Sequence, residues 1–192
     1  VKELEVYAKE NHIPIMEPLG IDFLMQIIRM KKPSNILEIG TAIGYSALRM
    51  LEAYPQAKIV TVERDQVRYE QAVKNINSLN KQYNITVING DALVNSDQLK
   101  NYGPFDLLFI DASKGYYQQF FDTFRTALSD SAIIVSDNVL FKGHVADDSE
   151  ASDRFKKIAG KLRKYNEWLV NHPMYKTTIV PIGDGVAISI KR

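Results

Sequence analysis

Apolar positions along this chain change period again and again. Asn35–Ile39 is a short apolar run, and Phe105–Ile110 (FDLLFI) is almost continuously apolar, as a central strand buried on both faces must be. Lys58–Val62, Ile85–Ile88 and Ala132–Ser136 are further strand-like runs. Between them, Tyr45–Ala53, a polar amphipathic segment from about Asp65 to Leu79, a segment after Ala92, and Tyr116–Leu128 carry helical spacing. Asp153–Asn171 sets Phe155, Ile158, Leu162, Tyr165 and Leu169 on one helical face, and Leu4–Asn11 and Ile21–Met30 predict two helices ahead of the first strand. At the end, Thr177–Pro181 and Val186–Ile190 flank Gly183-Asp184-Gly185 and predict two strands joined by a turn. Strand alternating with helix predicts an α/β fold: a seven-stranded, mostly parallel sheet with helices on both faces and an antiparallel last strand. No repeat, low-complexity segment or linker interrupts the pattern, so residues 1–192 are expected to form one domain.

Composition narrows the picture. With 192 residues, 45% of them hydrophobic, the chain can bury a full core without staples. It contains no cysteine, which excludes disulfides and thiolate metal sites and fits a reducing, cytoplasmic setting. No apolar run approaches the roughly 20 residues of a membrane span, and no signal peptide opens the sequence. Helical pattern begins at once at Val1, without a Met, so an incomplete N-terminal helix is expected. Formal net charge is +1, so any surface for a polyanion has to come from local clustering.

Candidate chemistry gathers at strand ends, where open α/β sheets bind ligands. The first strand runs into ILEIGTAIGYS, Ile36 to Ser46, with glycines at Gly40 and Gly44. The dinucleotide fingerprint G-x-G-x-x-G is not met, because Ala42 stands where its second glycine would let backbone approach a pyrophosphate. Glu38, two residues before Gly40, disfavours an anion and favours a cationic ligand. A nucleoside with a positively charged amino-acid tail, S-adenosylmethionine, suits such a loop. Glu63 ends the second strand, where a carboxylate can accept both ribose hydroxyls, and Asp91-Ala92 ends the third, where an adenine edge would lie. Each acid alone also reads as a turn or cap residue. Asp111, Asp137 and Asn138 end the fourth and fifth strands; three hard oxygen donors without Cys or His suit Mg2+, or another divalent ion such as Mn2+ or Ca2+. Turn chemistry is the plainer reading of these residues. Lys114 would open the next helix, against the helix dipole. A sulfonium and a divalent cation beside it would favour its neutral form, able to accept a hydroxyl proton.

Together ILEIGTAIGYS, the Glu63 strand end, GDA at 90–92, IDASK at 110–114, DNV at 137–139 and the closing GDGVAIS resemble the class I, cation-dependent O-methyltransferases, the catechol and caffeoyl-CoA O-methyltransferase family. The resemblance implies a Rossmann-like methyltransferase fold. It implies S-adenosylmethionine held by Met16 (in IPIME), Glu38, Gly40, Gly44, Ser46, Glu63, Asp91, Ala92 and Asp111, and a divalent ion held by Asp111, Asp137 and Asn138. Lys114 and Asp111 are then the catalytic pair, acting on a substrate with two neighbouring oxygens. Within the family, HIPIMEP, SDNVLFKGHVA and NEWLVNHPMY…VPIGDGVAIS are similar to the bacterial tRNA 5-hydroxyuridine methyltransferases, which act on the wobble position of the anticodon loop. Relatives often dimerise, and Trp168 or Tyr175 could serve a homodimer contact.

The substrate stays open between RNA and a small catechol-like phenol. Arg154, Lys156, Lys157, Lys161, Arg163 and Lys164 lie largely off the apolar face of the long helix, and Lys31, Lys32, Lys142, Lys191 and Arg192 can extend a basic surface. A solvated amphipathic face explains the same helix. The loop Leu140–Ser149 is a candidate substrate gate; His144 within it is given no role. A dinucleotide-dependent oxidoreductase is the remote alternative, disfavoured by Ala42 and by the Asp111/Asp137-Asn138 rim. A non-catalytic binding module is disfavoured because no structural need unites those residues with Lys114.

Overall fold

The computed structural model describes residues 2–192. Two helices, α1 (Lys2–Glu10) and α2 (Pro18–Lys31), precede an alternating series: β1 (Asn35–Ile39), α3 (Tyr45–Ala53), β2 (Lys58–Glu63), α4 (Gln66–Ser78), β3 (Ile85–Asn89), α5 (Ser96–Lys100), β4 (Phe105–Ile110), α6 (Tyr117–Phe124), β5 (Leu128–Ser136), α7 (Asp153–Val170), β6 (Tyr175–Val180) and β7 (Val186–Lys191). The seven strands lie in the order β3-β2-β1-β4-β5-β7-β6. β1 to β5 pair in parallel, and β7 is antiparallel to both β5 and β6. The expected architecture is therefore present: a Rossmann-like sheet whose last strand, inserted between β5 and β6, is the reversed one.

Side-chain alternation along the strands divides the core in two. Ile36, Ile59, Leu107 and Phe109 face a cluster built with Ile21, Leu24 and Ile28 of α2 and Leu48 and Leu51 of α3. Leu37, Val60, Leu108 and Ile110 face a second cluster with Phe120, Phe121 and Phe124 of α6 and Leu162, Tyr165 and Leu169 of α7. The charge inside FDLLFI has a structural partner set: Asp106 accepts from the amides of Ser34 (2.9 Å) and Asn35 (3.2 Å) and from the Ser129 hydroxyl (2.8 Å). A register shift in the β4–β5 pairing, between Phe105 and Leu107, accompanies it.

Helix boundaries differ from expectation where side chains contact the chain's own backbone. The helix after Ala92 shrinks to five residues, because the Asp91 carboxylate caps a turn by accepting from Leu93 (2.9 Å) and Val94 (3.3 Å). The stretch predicted as one helix over 116–128 is α6 flanked by single 3-10 turns, Lys114–Tyr116 and Arg125–Ala127, and β5 begins already at Leu128.

Sheet order reverses between β1 and β4, the switch point where a crevice opens beyond the strand ends. Here the loops after β1 and β4 approach so closely that a Cβ on Gly40 would lie 2.1 Å from the carbonyl oxygen of Asp111, and Gly40 has φ +102°. Both conditions demand glycine. Gly40→Ala is expected to cost on the order of 2–3 kcal/mol or more, read as a lower urea midpoint with unchanged m-value; a midpoint equal to the parent's would contradict this close approach.

Candidate active site

The crevice is a cavity of about 630 Å³ running along the C-terminal ends of β1 to β5. Met16, Gly40, Ser46, Glu63, Asp91, Ala92, Asp111, Lys114 and Asn138, all expected from sequence, line it. Glu38, Gly44 and Asp137 do not. Gly44 (φ +84°) turns the loop into α3 while facing Ala72 and Ile76 of α4.

At one end the carboxylate of Glu63 is fixed by two amides: Oε2 accepts from Ala42 (2.8 Å) and Oε1 from Asp65 (2.9 Å). Each oxygen keeps a lone-pair direction for a ligand hydroxyl. The Ala42 amide is aimed by a left-handed backbone, φ +47°. Tyr45 and Ser46, in the first turn of α3, bring to the cavity a helix N-terminus whose amides lack intrahelical acceptors, suited to a ligand carboxylate. Met16, packed over Gly20, forms part of the wall at this end.

Behind that loop Glu38 is completely buried. It accepts from the hydroxyls of Ser46 and Thr61 (2.6 Å for Thr61), and Thr61 in turn lies 2.6 Å from Thr41 Oγ1. This network ties β1, β2, the glycine loop and α3 together. Burial drives the Glu38 carboxyl up to about 8, only partly opposed by the Ser46 and Thr61 hydroxyls.

At the other end Lys114 Nζ stands 3.5 Å from Asp111 Oδ1 and 2.5 Å from Asn138 Oδ1. Asn138, held at φ +56°, also donates to Asp137 Oδ2 at 3.0 Å. Asp137 is buried, and Tyr117 donates its hydroxyl to the Asp137 carbonyl oxygen (3.0 Å). Burial raises both aspartates above the ordinary carboxylate range. Their mutual repulsion raises Asp137 further, while the Lys114 ammonium opposes the rise at Asp111. The donor set is oxygen only, gathers negative charge in low dielectric, and already draws a cation, the Lys114 ammonium. Those are the properties of a hard divalent-ion site. The ring of Phe141 and the side chain of Lys142 close this end, with Asp184 from the β6–β7 turn.

These features coincide with the comparisons to known proteins. Residues 1–192 match the family described as O-methyltransferase. The chain belongs to that family.

Among curated relatives, the catechol O-methyltransferase of Niastella koreensis is 31% identical over 176 residues (88% of this chain, 78% of that one). The flavonoid 3',5'-methyltransferase of Vitis vinifera is 32% identical over 193 residues, covering 97% and 81%. A solved Staphylococcus aureus structure, provisionally named a caffeoyl-CoA O-methyltransferase, superposes with TM-score 0.95 at 34% identity over 100% of this chain and 91% of its own. The Bacillus cereus O-methyltransferase, solved with S-adenosylhomocysteine, gives TM-score 0.84 at 26% identity, covering 100% and 90%. This O-methyltransferase thus uses S-adenosylmethionine, and it belongs with the caffeoyl-CoA and catechol enzymes. No helix among the described residues is long and apolar enough to cross a membrane.

The enzyme's basic residues sort by position. All six cations of α7 are exposed, but Arg163 is committed to Asp148 and to the His144 and Val145 carbonyls. Lys31 bonds Ser131 and Lys191 bonds Asp130, at the opposite end of the sheet, so neither extends a surface around the mouth; Lys142 does. Several wall residues escaped the sequence reading: Thr41, Tyr45, Tyr116, Phe120, Phe141 and Asp184. Only Asp184 carried a signal, as the acid of the closing turn.

Glu38 makes a pH prediction. Its folded carboxyl holds a proton more tightly than in the unfolded chain, so its contribution falls as pH rises from about 4.5 to about 8. The loss approaches about 1.4 kcal/mol per pH unit. Urea unfolding at pH 5, 6.5 and 8 is expected to show a steeper decline for the parent than for Glu38→Gln. Parallel profiles would mean that Glu38 is charged in the fold.

Proposed function

We propose that this O-methyltransferase is divalent-cation-dependent and methylates the 5-hydroxyl of 5-hydroxyuridine at the tRNA wobble position, giving 5-methoxyuridine. The observation that carries the metal half is the placement of Lys114 between Asp111 and Asn138 at the acceptor end of the cavity, beside buried Asp137. Asp111, Asp137 and Asn138 would hold the ion, which when bound supplies Lewis-acid stabilisation to an oxyanion and its neighbouring oxygen. Lys114, freed from Asn138 and with one ammonium proton given up to solvent, takes the hydroxyl proton at its neutral Nζ. Glu63 accepts from the ribose hydroxyls of S-adenosylmethionine, Asp91 and Ala92 border the base, and the first-turn amides of α3 receive the methionine carboxylate. Met16 covers the sulfonium side. Glu38 acts from behind, by fixing the Gly40 loop. Much of the rate gain is positional, since oriented groups reach effective molarities of about 10⁵ M or more.

For RNA, the supporting feature is where α7 lies. Its Lys161 Nζ stands 3.0 Å from the point a Cβ of Gly115 would occupy, next to Lys114, so the basic face reaches the cavity mouth. Arg154, Lys156, Lys157 and Lys164 continue it and form no salt bridge among the described residues. Phosphate contacts along such a face would leave an unstacked loop base at the cavity. A small vicinal-oxygen phenol is the second reading, favoured by the catechol and flavonoid relatives.

Mass analysis of nucleosides decides between them. tRNA bearing 5-hydroxyuridine, incubated with the protein, S-adenosylmethionine and Mg2+, is expected to yield 5-methoxyuridine, and chelator is expected to abolish it. Methylated catechol in a parallel reaction, with the tRNA untouched, would overturn the RNA reading; turnover surviving chelation would overturn the metal.

A further inference from the structure

The segment after β5 walls the acceptor end of the cavity, and its backbone is strained. Asn138 (φ +56°), Phe141 (φ +45°) and Lys142 (φ +55°) are three non-glycine residues in the left-handed region within five positions. Such conformations persist only where their surroundings over-determine them. On the near side the β6–β7 turn does this: Val139 donates to the Gly185 carbonyl (3.0 Å), and Leu140 and Phe141 donate to that of Asp184 (2.8 and 3.1 Å). Asn166 of α7 donates to the Val139 carbonyl at 2.9 Å. Beyond Lys142 the turn has few other ties outside itself. Phe141 meets Phe155 edge-to-face (ring centroids 5.3 Å apart), and the tilted His144 ring lies 5.4 Å from the same Phe155. One guanidinium then spans the rest: Arg163 Nη1 donates to the His144 and Val145 carbonyls (3.2 Å each), and Nη2 to Asp148 Oδ2 (2.6 Å).

We propose that Arg163 is a positioning residue for methyl transfer: by clamping residues 144–148 it holds Phe141 and Lys142 as the acceptor wall of the cavity. An exposed ion pair is ordinarily worth little. Here three acceptors spread over five residues are gathered by one planar fork, a geometry that an ammonium cannot reproduce. Among the described residues the Arg163 side chain hydrogen-bonds only to residues 144–148 and not to β1, β2 or α3, on which the cofactor end is built. Acceptor affinity therefore depends on Arg163 and cofactor affinity does not. The inference rests on the reading that the Asp111–Asn138 end receives the acceptor.

The test compares Arg163→Ala, Arg163→Lys and Asp148→Asn with the parent in steady-state kinetics, using whichever of 5-hydroxyuridine tRNA or catechol the parent methylates. Arg163→Ala is expected to raise acceptor KM tenfold or more with kcat changed less than threefold, and to leave S-adenosylmethionine Kd within twofold. Lysine should recover part of the loss, and Asp148→Asn should fall between. An acceptor KM within twofold of the parent, or equal losses in cofactor affinity, would overturn the proposal. Hydrogen exchange without any acceptor gives a second reading. Amides of residues 141–147 are expected to exchange at least tenfold faster in Arg163→Ala while those of β1 and β4 stay unchanged; unchanged exchange at 141–147 would also overturn it. If the parent methylates neither acceptor, the substrate assignment fails and the exchange result alone judges the clamp.

Discussion

Everything in this molecule depends on how the strand ends are stitched to one another just beyond the sheet. Gly90 donates its amide to the Glu63 carbonyl (2.8 Å), Gly40 to Val62 (3.1 Å), Asp111 to Ile39 (3.0 Å) and Asp137 to Ile110 (3.0 Å). Each bond joins the first residue past one strand to the last or nearly last residue of its neighbour. Parallel pairing thus continues one step into the loops, and the rim inherits the register of the sheet. Residues on five separate strands are placed by backbone geometry before any side chain contributes. The same stitching forces the β1 and β4 loops together, which is why Gly40 cannot carry a Cβ.

On that rim the protein places acids in two different states. Glu63 is fixed by the Ala42 and Asp65 amides at the cavity wall. Glu38 is sunk behind the loop and held by hydroxyls, and there burial outweighs hydrogen bonding. Asp111 and Asp137 lie between these cases: buried enough to resist charging, yet beside an ammonium that draws Asp111 back. Such a cluster disfavours a second anion, and under the proposed function a divalent cation takes the place of the Lys114 ammonium. The two ends of the cavity are served by different parts of the fold, the proposed cofactor end by β1, β2 and α3, the proposed acceptor end by β4, β5, the β6–β7 turn and the loop that α7 supports.

Much of this was legible in the sequence. The β1, α3 and β4 boundaries agree with the structure to the residue, because a buried strand and an amphipathic helix each impose a period that loops do not. Strand ends could be read, so the acids on them could be assigned to one edge. What could not be read was which way a side chain turns once there. Glu38 and Glu63 look alike in sequence, yet one faces inward to Ser46 and Thr61 and the other faces the cavity. Arg163 looked like one more cation of a basic face, and only the path of the loop shows it engaged with Asp148. Likewise Asp91 satisfies both of its readings at once, capping a turn and bordering the cavity. Long-range placement of this sort is set by packing, which local pattern does not encode.

The proposed metal site, proton acceptor and acceptor wall all centre on Lys114, whose ammonium stands between Asp111 and Asn138. The most direct measurement is titration of the protein with Mn2+, followed by electron paramagnetic resonance, in the presence of S-adenosylhomocysteine. One bound ion per chain, lost in Asp111→Asn and in Asp137→Asn while Asp137→Asn keeps S-adenosylhomocysteine affinity, is the predicted result. Absence of a bound ion in the parent, or a site that survives both substitutions, would contradict the account.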